Sequence, residues 1–405
     1  MLQKSNFYEI KILTIVIFLA IGTFLGVDIH LASMPHIMRF MDTNEHYMQL
    51  SVSLFLLGLG TSILIYGPLS DKHGRKPIII IGLAIAVIAS IGAALSKTIE
   101  VFLFMRILQG IGSGVCIGLG RVIVADISKG KRLAVLGSYV SLFQSLSPIF
   151  APVIGAFIQN KYNWQMNFIF LAAYYLLVLI IYFVACEETN KYKNPIAAKI
   201  KHLYSNYKDL LKNPVFLGSS ILSGCALSAF VSFSTLSAFI IQIDFKIDTV
   251  QYGLIISLLG FISIIYKSFF GMILNLFGSK KTILIGISLL FVSGIWLLII
   301  NYFNLANITT LIIGVAICFL GCPLIAFNTL SLALTPFGKK MGSAGALYGS
   351  LQILISFVAS STVASIALKS NILTLAIAYI ILSIICIYSF YFFLSTTCFI
   401  KTCSR

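Results

Sequence analysis

Long apolar runs alternate with short polar breaks along nearly the whole chain. Six runs cover residues 10–31, 47–70, 77–95, 101–125, 133–158 and 165–186, and six more cover 215–242, 250–275, 281–300, 306–334, 342–367 and 371–396. A helix needs about 20 apolar residues to cross the hydrocarbon of a bilayer. Backbone polar groups in that medium must be satisfied within the segment, so each run predicts one spanning helix. The first run, Ile10–Val27, has the length of a signal sequence, but Asp28 and Pro35 stand where a small-residue cleavage site belongs. It reads as a retained first span. Between the sixth and seventh runs lies the polar stretch 187–213, with Lys191, Lys193, Lys199, Lys201, Lys208 and Lys212. The pattern predicts an all-α membrane protein of twelve transmembrane helices in two six-helix bundles, residues 1–186 and 214–405, joined by the basic linker 187–213.

Composition narrows the function classes. The 405 residues are 59% hydrophobic and 10% charged, whereas a soluble domain carries roughly 25% charge. Twelve spans consume about 240–300 residues, which leaves short loops and no room for a sizeable soluble domain. The formal charge of +16 lies in short clusters between apolar runs, not in a stripe, and so fits loops at an anionic membrane face; no nucleic-acid partner is expected. Counted by side, twenty Lys and Arg fall on one face and five on the other (Arg39, Lys97, Lys161, Lys246, Lys369), with Arg106, Arg121 and Lys267 inside spans. The positive-inside rule then predicts an inner-membrane protein with both termini and the linker cytoplasmic. None of the eight cysteines forms a CxxC pair or a Cys/His metal spacing, so buried thiols and no metal are expected.

An internal repeat supports the division into halves. After the second span comes Gly67-Pro-Leu-Ser-Asp71-Lys-His-Gly74-Arg75-Lys76, and 204 residues later comes Gly271-Met-Ile-Leu-Asn275-Leu-Phe-Gly278-Ser279-Lys280. Gly, an Asp or Asn position, Gly and Lys recur at identical spacing, as in transporters built from parallel repeats. Gly67 and Gly74 suit a tight turn between helices. Asp71 can cap or face a helix N-terminus, and Arg75 can pair with Asp126 at the cytoplasmic end of span four; a plain solvated basic loop is the alternative.

Span four carries Gly110, Gly112, Gly114, Gly118 and Gly120. No strand precedes them and no Walker lysine follows, so close helix packing through small residues is expected. Charges inside spans are expensive, at least about 2.5 kcal/mol near the centre. Arg121 is expected to snorkel or to pair with Asp126, and Lys267 to snorkel. Asp28 lies about 17 residues, or roughly 26 Å, along span one at 1.5 Å per residue. Arg106 lies about six residues, or ~9 Å, below the opposite face, so the two fall at similar depth in a core of about 30 Å. Each alone would be an unpaired charge in apolar surroundings; together they make a proton-coupling pair. Burial and a neighbouring cation act on the carboxylate in opposite senses, a balance that conformation or substrate can tip. The alternative is that Asp28 caps the end of span one in the headgroup region.

The loop at Gly67–Lys76 resembles the G-x-L-x-D-r-x-G-r-k signature of the major facilitator superfamily. Arg106-Ile-Leu-Gln109-Gly110-Ile-Gly112 resembles its R-x-x-q-G-x-g, and Asp28-Ile-His-Leu31-Ala-Ser-Met-Pro35 is similar to the D-x-Y-L-P-A-L-P of the bicyclomycin-resistance drug exporters, with His30 and Ala32 departing. Pro148, Pro152 and Gly155 in span five resemble that subgroup's antiporter motif, where Ala151 and Ala156 replace glycines. Gly342-Ser-Ala-Gly-Ala-Leu347-Tyr-Gly-Ser-Leu-Gln352 is similar to its span-eleven motif. The resemblance implies the major facilitator fold and export of small drug-like or amphipathic compounds by alternating access. It implies the proton gradient as driving force with no cofactor, and small molecules, protons and the lipid bilayer as partners of a monomer. It also implies that Gly67, Asp71, Gly74, Arg75 and Asp126 form a conformational latch, weaker in the second copy with its Asn275 and Ser279. Tyr139, Gln144, Phe233, Phe239, Tyr348 and Gln352 are candidates to line a substrate cavity, although most of the 32 Phe and 18 Tyr must pack or face lipid. Metabolite uptake or exchange is the alternative within transport. A channel or intramembrane enzyme is the alternative outside it, but there is no filter-like loop, no HExxH, no GxSxG and no carboxylate pair within a span.

Overall fold

The computed structural model describes residues 2–190, 193–194, 200–366 and 370–395. Lys191, Lys199, Lys369, Cys398, Lys401, Cys403 and Arg405 lie outside the described residues. Twelve helices among the described residues are long and apolar enough to cross a membrane.

In the first part of the chain the helices are α1 (Leu2–Asp28), α2 (Met34–Phe40), α3 (Glu45–His73), α4 (Arg75–Leu95), α5 (Ile99–Ile127), α6 (Gly130–Lys161) and α7 (Gln165–Ala185). A helix α8 (Ile200–Leu211) lies in the stretch read from sequence as linker. Beyond it come α9 (Pro214–Phe239), extended by a π turn Ile240–Asp244, then α10 (Thr249–Ser268), α11 (Phe270–Tyr302), α12 (Ile308–Leu334), α13 (Met341–Ser365) and α14 (Asn371–Ser389). Polar residues at the loop ends start some of these helices. Asn213 accepts from the Phe216 amide with Pro214 at the first helical position, and Asn307 and Thr310 form a reciprocal capping box.

Two compact units emerge. The first comprises Met1–Ser33 and Leu54–Ser205, the second Met34–Ser53 and Asn206–Arg405. In the first, α5 lies directly on α3 and α4: a methyl group at Gly110 would strike the Phe55 carbonyl, and one at Gly112 the backbone of Ala86. The clustered glycines of span four thus let backbones approach where side chains would hold them apart.

Three boundaries differ from the hydropathy pattern. Span one is broken: α1 ends at Asp28, a 3₁₀ turn covers Leu31–Ser33, and α2 starts at Met34. The predicted run 10–31 carries past this break because the apolar Ile29 and Leu31 follow Asp28. Gly67 is not at a turn but inside α3, with open space where a side chain would go; the turn is made by Gly74 alone, at φ 109°, a conformation that favours glycine. In the second copy, the eighth run divides at Ser268, and Gly278, at φ 71°, interrupts α11.

Candidate functional site

Asp28 is the last residue of α1 and is 2% exposed. A helix C-terminus is the electrically unfavourable end for an acid, and the Asp28 Oδ2 atom has no hydrogen-bond partner among the described residues. The carboxylate is buried, and no capping bond to it is present among the described residues.

Arg106 lies within electrostatic reach of Asp28, but no ion pair within 4 Å joins them among the described residues. The fully buried guanidinium instead donates to the Gly26 carbonyl at 2.9 Å and to Gln109 Oε1, and it lies over the Phe55 ring at 4.6 Å. Gln109 in turn donates to Ser90 Oγ at 2.7 Å. A chain of polar groups therefore runs from α4 through α5 to the last turn of α1. Tyr175 donates to the Gly22 carbonyl inside α1 at 2.7 Å, while Arg106 from α5 takes up the Gly26 carbonyl at its end. Such substitution is what broken helices in hydrocarbon require.

The antiporter-motif helix supports this break. Pro148 and Pro152 lie inside α6, and Gly155 presses on the backbone of Ile29, where an added methyl would collide with the carbonyl oxygen. Asn167 Nδ2 ties the same region together, donating to Ser33 Oγ at 2.7 Å and to the Gly155 carbonyl at 3.3 Å. The buried His30 ring, hydrogen-bonded to the backbone of Val27, completes the wall beside Phe168.

A second cluster lies at the opposite end of the same unit. Arg75 reaches Asp71 Oδ1 at 2.5 Å, Asp126 Oδ2 at 3.2 Å and Ser70 Oγ at 2.6 Å. Asp71 does not cap α4. That role falls to Glu188, just beyond α7, whose carboxylate accepts from the amides of Arg75 at 2.8 Å, Lys76 at 3.1 Å and Asn190 at 2.9 Å. Thr189 donates to Asp126 Oδ2 at 3.2 Å, and Asn190 Nδ2 to the carbonyls of Ser70 and Asp71, both at 3.2 Å. A methyl at Gly74 would run into Glu188. Sequence reasoning missed this strap; the signal was two acids directly following an apolar run. In the second unit the corresponding contact is neutral, Ser279 Oγ to Asn328 Oδ1 at 3.0 Å, and Asn328 is a further residue the sequence reading did not single out. Arg121 is exposed and Lys267 half-buried.

The six cavity candidates are divided between the units. Tyr139, 49% exposed, and the partly exposed Gln144 belong to the first. In the second, Phe233 is buried against Phe319, Phe239 is fully buried, and the buried Tyr348 hydroxyl lies 3.1 Å from Thr329 Oγ1, while Gln352 is partly exposed.

A match to the Major Facilitator Superfamily runs through residues 16–360, most of the chain. The chain belongs to that superfamily. Among its relatives, the multidrug resistance protein MdtL of Shewanella oneidensis is 29% identical over 331 residues, covering 82% of this chain and 83% of the relative. A bicyclomycin resistance protein homolog of Haemophilus influenzae is 26% identical over 369 residues, covering 91% and 92%. In fold the chain is similar to the xylose transporter XylE of E. coli in a partially occluded inward-open conformation, with a TM-score of 0.73 at 15% identity over 95% of this chain and 98% of that one. It is also similar to the human organic anion transporter MFSD10, at 0.70 and 15% over 95% and 99%. This major facilitator protein is therefore a multi-pass membrane transporter of small molecules.

Proposed function

We propose that this transporter exports small drug-like or amphipathic compounds by alternating access, driven by protons moving the other way. The names of the MdtL and bicyclomycin-resistance relatives support the export of drugs. The twenty-to-five basic bias supports an inner-membrane location with both termini and the linker stretch 187–213 cytoplasmic, and we take the functional unit to be a monomer of two six-helix halves. Tyr139, Gln144 and Gln352, which keep some exposure, are the better placed of the cavity candidates to meet a substrate.

One observation carries the coupling mechanism: a buried carboxylate at a helix break, with an oxygen lacking a hydrogen-bond partner and a guanidinium in electrostatic reach. A neutral Asp28 needs no counterion. A charged Asp28 calls on Arg106, whose Nη1 is engaged with Gly26 and Gln109. Loading and unloading the proton therefore exchanges the partners of Arg106 and acts on the last turn of α1. Arg75, with Asp71 and Asp126, serves as the latch at the other end.

Purified protein in proteoliposomes under an imposed proton gradient tests this. Asp28→Asn is expected to abolish proton-driven uptake of a fluorescent drug while leaving the thermal unfolding midpoint unchanged, and Asp28→Glu to retain part of the activity. Normal proton-driven transport by Asp28→Asn removes Asp28 as the coupling group.

A further inference from the structure

The second unit holds polar chemistry that the coupling site does not use. The first turn of α3, the π turn after α9, the ends of α11 and α13 and the start of α14 enclose a cavity of about 590 Å³. Small-molecule sites are roughly 300–1,000 Å³. Glu45, His46, Gln49, Asp244, Asn301 and Asn371 contribute to its wall, and no lysine or arginine does among the described residues.

Two carboxylates meet there across one amide. Asn371 Nδ2 donates to Glu45 Oε2 at 3.3 Å and to Asp244 Oδ2 at 3.5 Å. Both contacts are long, the second at the limit of a hydrogen bond. The shared nitrogen nevertheless holds the two oxygens within about 7 Å of each other. A neutral amide cannot offset two negative charges, and among the described residues no lysine or arginine lines the cavity to do so. Charge-assisted bonds to an ammonium or guanidinium run shorter, about 2.7–2.9 Å.

Gln49 points to a ligand independently. It lies four residues after Glu45, hence on the same face of α3, and is only 4% exposed. Its side chain lines the cavity and makes no hydrogen bond among the described residues. An amide at the cavity wall can pair with a ligand there. A metal ion does not fit: no group of three His, Cys, Asp or Glu is placed to hold one among the described residues, and the His46 ring is engaged with the Ala364 carbonyl at 2.8 Å.

We propose that this cavity binds a small organic cation, an alkylammonium or guanidinium compound, through Glu45 and Asp244 with Gln49 as a further polar contact, at a site separate from Asp28. The proposal does not depend on export or on proton coupling.

Equilibrium binding of radiolabelled agmatine to the purified full chain in detergent tests it. Wild type is expected to bind saturably, with competition by butylamine and none by the neutral butanol. The double variant Glu45→Gln, Asp244→Asn is expected to weaken binding at least about tenfold, the scale of one lost charge-assisted contact. Each single variant and Gln49→Ala are expected to weaken it about threefold or more, and Asp28→Asn to leave it unchanged. Absence of saturable binding by wild type overturns the proposal. So does unchanged binding by a double variant that keeps the wild-type unfolding midpoint. If the double variant does not fold, the two single variants decide, and wild-type affinity in both overturns it. A loss in Asp28→Asn as large as in the carboxylate variants moves the cation to Asp28 and also overturns it.

Discussion

Glu188→Ala removes the carboxylate that closes the start of α4. That carboxylate accepts three amides, at 2.8, 3.1 and 2.9 Å from Arg75, Lys76 and Asn190. Hydrogen bonds to a charged group contribute about 1.5–3 kcal/mol each when shielded, but Glu188 is only half-buried, and water replaces part of that. One bond, to the buried Arg75, discounted to about 1–2 kcal/mol for the half exposure of Glu188, together with about 1 kcal/mol for a lost N-cap, gives about 2–3 kcal/mol. At 1.4 kcal/mol per decade this raises the open population of the turn about 30- to 150-fold. Amide hydrogen exchange of a peptide spanning residues 72–80 reads that population directly, since local opening limits exchange there. Glu188→Ala is expected to speed exchange at Arg75 and Lys76 by that factor, and Glu188→Gln, which keeps an acceptor but loses the charge, by about tenfold. Glu187→Ala, at the exposed neighbour, is expected to have no effect. Exchange in Glu188→Ala within about threefold of wild type refutes the reasoning, because the helix start would then not depend on the strap.

Other outcomes are expected at neighbouring features. Asp71→Asn, which breaks the 2.5 Å pair with Arg75, should slow transport strongly in proteoliposomes, while Asn275→Ala in the neutral copy should matter little; equal effects would mean that the charge asymmetry between the copies has no function. Gly155→Ala should lower the unfolding midpoint, since overpacking against the Ile29 carbonyl costs about 1–3 kcal/mol, whereas Gly349→Ala, which meets nothing within 4 Å, should not. A reporter active only in the cytoplasm should give signal when fused after residue 200 and none in the loop at residues 97–100; signal at the second position would reverse the orientation.

How legible the molecule was in its sequence depended on how far each interaction reaches along the chain. Twelve spans follow from hydropathy because each run carries its own signal. The Arg75 cluster was within reach because Asp71 and Arg75 are four residues apart, and Asp126 ends an identifiable helix. Glu188 was not, because it acts on α4 from 113 residues away. The break after Asp28 was missed for another reason: the groups that meet it, Arg106 at the Gly26 carbonyl and Gly155 against Ile29, come from distant parts of the chain. Asp28 and Arg106 lie within electrostatic reach of each other, but nearness does not say which acceptor a guanidinium prefers. Here a backbone carbonyl and a glutamine are closer.

The segment Met34–Ser53 belongs to the second unit although both its flanks belong to the first. The chain therefore passes between the units at three peptide bonds, after Ser33, after Ser53 and after Ser205, rather than at one. A cut within the basic stretch, or expression of the chain as two pieces divided there, leaves this segment covalently attached to the piece whose unit it does not complete. The N-terminal piece would carry residues 34–53 without the unit to which they belong, and the C-terminal piece would lack Glu45 and Gln49. As units of inheritance the two repeats meet in the linker, whereas as units of folding they exchange a segment long before it.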